Sequence, residues 1–450
     1  MGTARVLLRT RGVRQTGDAG AALRGISRGA DSVVAMRVRG QHVLLLLDPA
    51  LVGLLLQTHA ADTTKGPGVQ LTRRLLGNGL LTSEGEDHRR ARRLVAPAFS
   101  PRRLEQYVDT FAARTAAYTA NWTDGSTVEM HQEMGGLALD IVGRTLLGID
   151  LAADATGIRS ALESALTAFA SANVGIAGQA RGRRPGQARG RRGRADAALA
   201  LTSPLPPEVS AIHGIVDAII EGRRADRSDD RGDVVSALLA AMDGPDGLSA
   251  TEVHDHVITL LMAGHETTAN ALAWTLYLVG KEPAVQERLH AEVAALGGTP
   301  SFADLPMLTY TRAVISEAMR IYPPAWIIGR TTHTVLDLGG WQAPAGSVVG
   351  VSPLLLHHDA RWFPQPERFD PDRWLDERAG AVPRHAYLPF GTGPRACVGE
   401  QFAWAEAVTA LAVLSAGWRF TSDPTHVVTP QYRVTLRPGN GVLVRVHART

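Results

Sequence analysis

A chain of 450 residues holds one large domain or about two to three average ones, so motif order has to decide between them. With 45% hydrophobic and 20% charged residues it has an ordinary globular composition, which excludes global disorder. A net charge of +3 gives no whole-molecule case for nucleic-acid binding, and a single cysteine, Cys397, excludes internal disulfides and multi-cysteine zinc sites.

The segment from Met1 to Gly17 carries four arginines and no apolar run of membrane-spanning length, so neither a membrane span nor a secretory signal is predicted and a cytoplasmic location is expected. Residues 33–48 (VVAMRVRGQHVLLLLD) read as two β-rich runs around an Arg39-Gly40 turn. In GEDHRRARRLVAPAFS (85–100), His88 and Arg92 stand at i and i+4 and share a face. Helical periodicity then dominates, from Pro101 to Trp122, Met130 to Leu147, Ile158 to Ser171, Glu208 to Arg224, Asp233 to Met242, Thr251 to Gly280 and Pro283 to Leu296. Short β material returns at 331–350 and from Tyr432 to Val446. The fold class is therefore mainly α with small β-sheets, an α+β arrangement.

One segment is unlike the rest. GQARGRRP (178–185) repeats directly as GQARGRRG (186–193), with seven arginines between Arg181 and Arg194 and no acid among them. A solvated flexible loop between helices and a binder of acidic partners both fit that composition.

Ser249, with Glu252 three residues later, forms a capping-box start for the longest helix. Along it, Leu260, Ala263, Gly264, Thr267 and Ala271 fall on one stripe of mostly small residues, against which a flat molecule can lie. Glu266-Thr267 places an ionisable group beside a hydroxyl, the pair that proton delivery needs, and Thr267 can bond back to the Ala263 carbonyl. For an isolated Glu-Thr pair, a solvent-facing acid and a packing threonine would serve equally well. His265 lies about 100° around the helix from its neighbours and reads as structural.

Glu317 and Arg320, three apart, form a helical ion pair, and PERF at 366–369 offers Arg368 as a third member. The loop FGTGPRACVG (390–399) surrounds the thiol with features that a metal-bound thiolate uses. Gly391, Gly393 and Gly399 let backbone N–H groups approach the sulfur, Phe390 can cover it, and Arg395 supplies a fixed cation. A helix from Phe402 to Leu414 would place its N-terminus just after the sulfur and favour the anion. A glycine-rich turn around a buried structural cysteine is the blander reading.

This loop resembles the heme-binding signature of the cytochrome P450 family, Phe-Gly-x-Gly-x-Arg-x-Cys-x-Gly, at every specified position. Ala263-Gly264-His265-Glu266-Thr267-Thr268 resembles the family's oxygen-activation motif, and Glu317, Arg320 and Arg368 resemble its Glu-x-x-Arg plus Arg triad. The resemblance runs from His88 to Gly399 and implies a single domain over 1–450 with the P450 fold. In that fold a long central helix lies over the heme, and 178–206 would be a lid loop.

It implies heme b (iron protoporphyrin IX) with Cys397 as axial ligand of the iron. His88, Arg92, Arg330 and Arg395 would hold the propionates, and Ala263, Gly264, Phe390, Gly391 and Gly399 would lie against the cofactor. Glu266 and Thr267 would carry catalytic protons, with O₂ as co-substrate. No flavin or nicotinamide motif is visible, so NAD(P)H electrons would arrive through a separate ferredoxin and ferredoxin reductase, and Arg89, Arg90, Arg93, Arg102 and Arg103 would form a basic docking patch. A monomeric monooxygenase of a lipophilic small molecule follows, in secondary metabolism and with a preference for terpenoids. Leu76, Leu260, Ala325, Trp326, Ile327 and Val434 would line its substrate pocket. A peroxide-using or isomerising heme-thiolate enzyme, or a heme sensor, would have no use for Glu266-Thr267.

Overall fold

A computed structural model describes residues 5–7, 19–38, 41–151, 157–165, 207–225, 233–242 and 247–449. The Arg39-Gly40 turn, the arginine repeat at 178–193 and the rest of the expected lid segment to 206 lie outside these residues, as does most of the N-terminal segment.

The helices that frame the site are α1 (Gly85–Val95), α2 (Pro101–Thr119), α3 (Met130–Thr145), α4 (Pro207–Ala225), α5 (Val234–Met242), α6 (Ala250–Val279), α7 (Pro283–Ala294), α8 (Thr309–Ile321) and α9 (Glu400–Gly417). They match the predicted runs to within a few residues, because each predicted run was set by apolar periodicity and each helix buries that face. Helix 157–165 covers the described part of the Ile158 to Ser171 prediction. The capping box forms as expected: the Ser249 hydroxyl accepts from the Glu252 N–H at 3.2 Å, and the Glu252 carboxylate accepts from the Ser249 N–H at 2.9 Å.

Among the described residues the largest sheet has six strands, in the order Arg5–Leu7, Val33–Val38, Gln41–Leu46, Val348–Val351, Ile328–Thr332 and Thr63–Lys65. Its last ladder sets Lys65 directly opposite Arg330. A two-stranded hairpin, Pro430–Tyr432 with Leu436–Pro438, carries Arg433, Val434 and Thr435 at its tip.

Helix α6 runs unbroken through the main core, packed most closely against α3. At Gly264 an added Cβ would lie 2.9 Å from Val142 Cγ2, so the absence of a side chain lets the two helices approach. Between Asp255 and Gly280 every residue is buried except Ala263, which is exposed, and Gly264, Glu266 and Thr267, which are half-buried. A helix inside a core has one window in its wall, and that window is the acid-threonine motif.

Candidate functional site: a thiolate loop, a helix window and a cation cluster

The cysteine loop is built by glycines that nothing else can replace. Gly391 and Gly393 have φ of 70° and 78°, and a Cβ on Gly393 would lie 2.2 Å from the Leu56 carbonyl oxygen. The Cys397 N–H donates to the Phe390 carbonyl at 3.0 Å and closes the loop. Arg92 braces the same turn from α1, donating to the Ala396 carbonyl at 2.7 Å.

Burial pushes the Cys397 thiol pKa up, while the Gly399 N–H bonded to the sulfur and the nearby Arg92 charge pull it down. Yet the cysteine is accessible to solvent. The residue thus keeps exposed surface although protein crowds its sulfur. Phe390 is half-buried and packs its ring on Trp404 with centroids 5.6 Å apart.

A second feature is a group of buried cations. Lys65, Arg395, Arg92 and Arg330 all act on His88, and together with its burial they push its pKa down to about 4, so the imidazole is neutral at physiological pH. Burial, opposed by Glu84 and aided by Arg395, Arg330 and Arg73, pushes Lys65 down to about 7, and burial with Arg395 pushes Arg330 down to about 10. Arg395 bonds Glu84 at 2.9 Å and the Thr63 carbonyl at 2.7 Å, and Lys65 Nζ donates to the carbonyls of Ser83 at 2.7 Å and Leu80 at 3.1 Å. Glu84 alone does not balance this charge. Like charges buried side by side are costly, so the cluster suits a ligand that brings anions of its own. Lys65 and Glu84 were not foreseen, since neither belongs to a motif.

In the helix window, Thr267 Oγ1 donates to the Ala263 carbonyl at 2.8 Å, as expected. That bond does not distinguish it, because Thr259 and Thr275 of the same helix make it too, at 2.7 Å. What sets Thr267 apart is its opening toward solvent. His265 is buried and donates from Nδ1 to the Leu261 carbonyl at 3.0 Å, a contact within its own helix. Gly264 is half-buried in the same window, where its missing side chain also serves the contact with Val142, and Ala263 is the most open residue. Burial raises the Glu266 pKa, opposed first by a 2.5 Å hydrogen bond from the Thr435 hydroxyl.

On α9, Glu406 is fully buried with neither oxygen hydrogen-bonded, and burial raises it well above the carboxylate range. A lone acid inside an apolar helical run was the available signal for it.

The ion triad forms with a different third member. Arg320 holds Glu317 through two bonds of 2.9 Å, and both are fully buried. Arg368 is exposed and contributes only its carbonyl, which accepts from Arg320 at 3.1 Å. Arg373 reaches Glu317 instead at 3.4 Å, and Trp374 Nε1 donates to it at 2.9 Å. The sequence holds two Pro-x-Arg-aromatic runs, 366–369 and 371–374, and the second turns its arginine inward.

The predicted pocket residues divide. Ile327 and Val434 are 43% and 39% exposed, unusual for large apolar side chains, and Ala325 is half-buried. Leu76 and Leu260 are packed into the main core and leave little surface for a ligand. Trp326 is a second correction: it is buried against Leu354 and Leu436, and its Nε1 donates to the Arg433 carbonyl at 3.0 Å. It pins the hairpin tip to the Ile327 loop.

In the expected basic patch, Arg89 pairs with Glu86 at 2.6 Å, Arg93 approaches the same acid at 3.8 Å and Arg90 pairs with Glu252. Arg102 is exposed and Arg103 bonds Gln106 at 3.3 Å.

A sequence model of the family described as Cytochrome P450 matches residues 13–172 and 207–443. Cyclooctatin synthase of Streptomyces melanosporofaciens is 39% identical over 412 residues, covering 90% of this chain and 87% of that protein. The cyclooctat-9-en-7-ol 5-monooxygenase of the same organism is 38% identical over 402 residues, covering 87% and 83%. Among solved structures, the cytochrome P450DA heme domain superposes with a TM-score of 0.79 at 26% identity, covering 96% of this chain and 92% of that one.

The chain belongs to the cytochrome P450 family. It is a monooxygenase that uses heme, O₂ and reducing equivalents on a small molecule. The family's heme fits the residues present, since an open cysteine sulfur suits an iron, an uncompensated cation cluster suits propionates, and a window of small residues suits a flat face.

Proposed function

We propose that this enzyme hydroxylates or epoxidises a cyclic terpenoid in secondary metabolism. The observation that carries the reading is the helix window: Ala263, Gly264, Glu266 and Thr267 are the only residues not buried between Asp255 and Gly280. An apolar rim supports the substrate class, with Ile327, Val434 and Leu81 each exposing an aliphatic side chain on separate loops. So does the relative named for cyclooctat-9-en-7-ol, an unsaturated carbocyclic alcohol.

In this reading the chain is one domain, monomeric and cytoplasmic, and its heme is heme b. Cys397 ligates the iron, Arg92 and the Gly399 N–H stabilise its thiolate, and His88, Lys65, Arg330 and Arg395 hold the propionates. Bound heme supplies the oxidising power by activating O₂. Glu266 carries protons to the window, where the Thr267 hydroxyl orients them. Glu317, Arg320 and Arg373 hold the segment leading to the thiolate. NAD(P)H electrons come through a ferredoxin and its reductase. Arg312 stacks over Trp404 at 4.0 Å, and Trp404 packs on Phe390, which leaves an aromatic route from the outer face of the loop toward the sulfur.

Titrating the ferric protein with cyclic terpene olefins and alcohols tests the substrate class: members that fit should convert the heme from low to high spin, and a set that binds no better than fatty acids or macrolides refutes it. In the reduced protein with CO, Cys397→Ser should remove the thiolate-shifted Soret band, and persistence of that band refutes the ligand assignment.

A further inference from the structure

Glu266 sits at the end of a chain of hydrogen bonds that crosses three elements. His131, at the start of α3, bonds Asn270 Oδ1 through Nε2 at 3.1 Å. Asn270, one turn after Glu266 on α6, donates from Nδ2 to Thr435 Oγ1 at 3.3 Å. Thr435, at the hairpin tip, donates to Glu266 Oε1 at 2.5 Å. Asn270 is completely buried and Thr435 nearly so.

Donor and acceptor bookkeeping gives the chain one direction. A bond from the imidazole N–H fixes which end of the Asn270 amide is oxygen, so its NH₂ must face Thr435. The Thr435 oxygen then accepts, and its single proton has Glu266 as its partner. Every proton in the series points toward the carboxylate.

The charged groups around it come from other elements. Arg437 and Arg433 on the hairpin and His131 favour the Glu266 anion, and Glu163 in helix 157–165 opposes it. His131 is itself faced by Glu129, Glu163 and Arg437.

We propose that His131, Asn270 and Thr435 are positioning residues for oxygen activation: their one-way relay grips Glu266 through Oε1 and leaves Oε2 to carry the delivered proton. The inference rests on the reading of Glu266 as the proton carrier. A proton on Oε1 would face the Thr435 proton head-on, so the relay selects the oxygen as well as holding the side chain. Without it the buried carboxyl would keep its proton to higher pH and turn freely in the window.

The test is an infrared titration of the heme-loaded protein, in which the Glu266 carboxylic acid band is assigned as the signal that Glu266→Gln removes. Thr435→Val should raise the midpoint of that band by about one pH unit, the tenfold change in proton affinity expected on losing one hydrogen bond to a charged acceptor. Thr435→Ser should restore it, and His131→Phe should raise it by less. Product formed per electron consumed should fall in Thr435→Val and recover in Thr435→Ser, with the CO spectrum unchanged throughout. A Val variant that titrates like wild type, or a Ser variant that behaves like Val, overturns the relay while Glu266 keeps its role. If Glu266→Gln leaves coupling unchanged, both the relay and the assignment of Glu266 fall.

Discussion

Two charge clusters, one around Glu317 and one around His88, are built on opposite plans. Around Glu317 the chain supplies its own counter-charges and donors: Arg320, Arg373, Trp374 Nε1 and the Asp370 N–H all converge on one carboxylate. Around His88 it gathers Lys65, Arg92, Arg330 and Arg395 against Glu84, and an excess of positive charge remains. A satisfied cluster braces the fold, whereas an unsatisfied one waits for a ligand. Burial alone does not tell them apart, but the balance of charge does.

The comparison breaks most readily at Glu317. Glu317→Ala leaves two arginines and an indole N–H without their acceptor, and should cost about 3–5 kcal/mol, the usual penalty for breaking a buried ion pair from one side. Urea unfolding would measure it, and a loss under about 1 kcal/mol would mean the cluster braces nothing.

The paired variants Arg373→Leu and Arg368→Leu sharpen the same point. The first should destabilise by about 1–3 kcal/mol by removing one of the donors to a buried carboxylate, and the second by less than about 0.5 kcal/mol as a surface change. Equal effects in thermal melts would restore Arg368 to the triad.

The smallest effects belong to the uncompensated cluster. Lys65→Gln removes a charge and keeps a donor for the Ser83 and Leu80 carbonyls. It should stabilise the heme-free protein slightly and speed heme loss to a scavenger apoprotein by about tenfold. Folded Lys65 and His88 both bind protons less tightly than their unfolded forms, with pKa values near 7 against 10.5 and near 4 against 6.5. The heme-free protein should therefore lose stability as pH falls from about 10 to 7, and again from about 6.5 to 4. Heme should flatten both slopes, since propionates stabilise the protonated forms. A heme-free melting temperature that does not change with pH would contradict the charge imbalance.

What could be read in the sequence was local. The long helix declared itself through apolar periodicity and a capping box, and the cysteine loop through its glycines, of which Gly391 and Gly393 take left-handed φ angles. The misreadings were tertiary. Arg368 and Arg373 sit in equivalent local patterns, and only the course of the chain past α8 decides which one reaches Glu317. Lys65 meets Arg330 only through strand register, and Thr435 and Asn270 come together only when the C-terminal hairpin closes on α6. Trp326 looked like a pocket wall, but an indole N–H needs an acceptor, and the Arg433 carbonyl drew it away from the cavity.

The hairpin tip carries a warning for anyone altering this enzyme. Val434 exposes its side chain while its neighbour Thr435 holds Glu266, so a mutation chosen to admit a new substrate at Val434 would also disturb the acid proposed to supply protons. Libraries built there will mix altered selectivity with wasted electrons. Diversity at Leu81, which is part of neither the hairpin nor the loop pinned to it, should change what the enzyme accepts without changing how efficiently it spends each reducing equivalent.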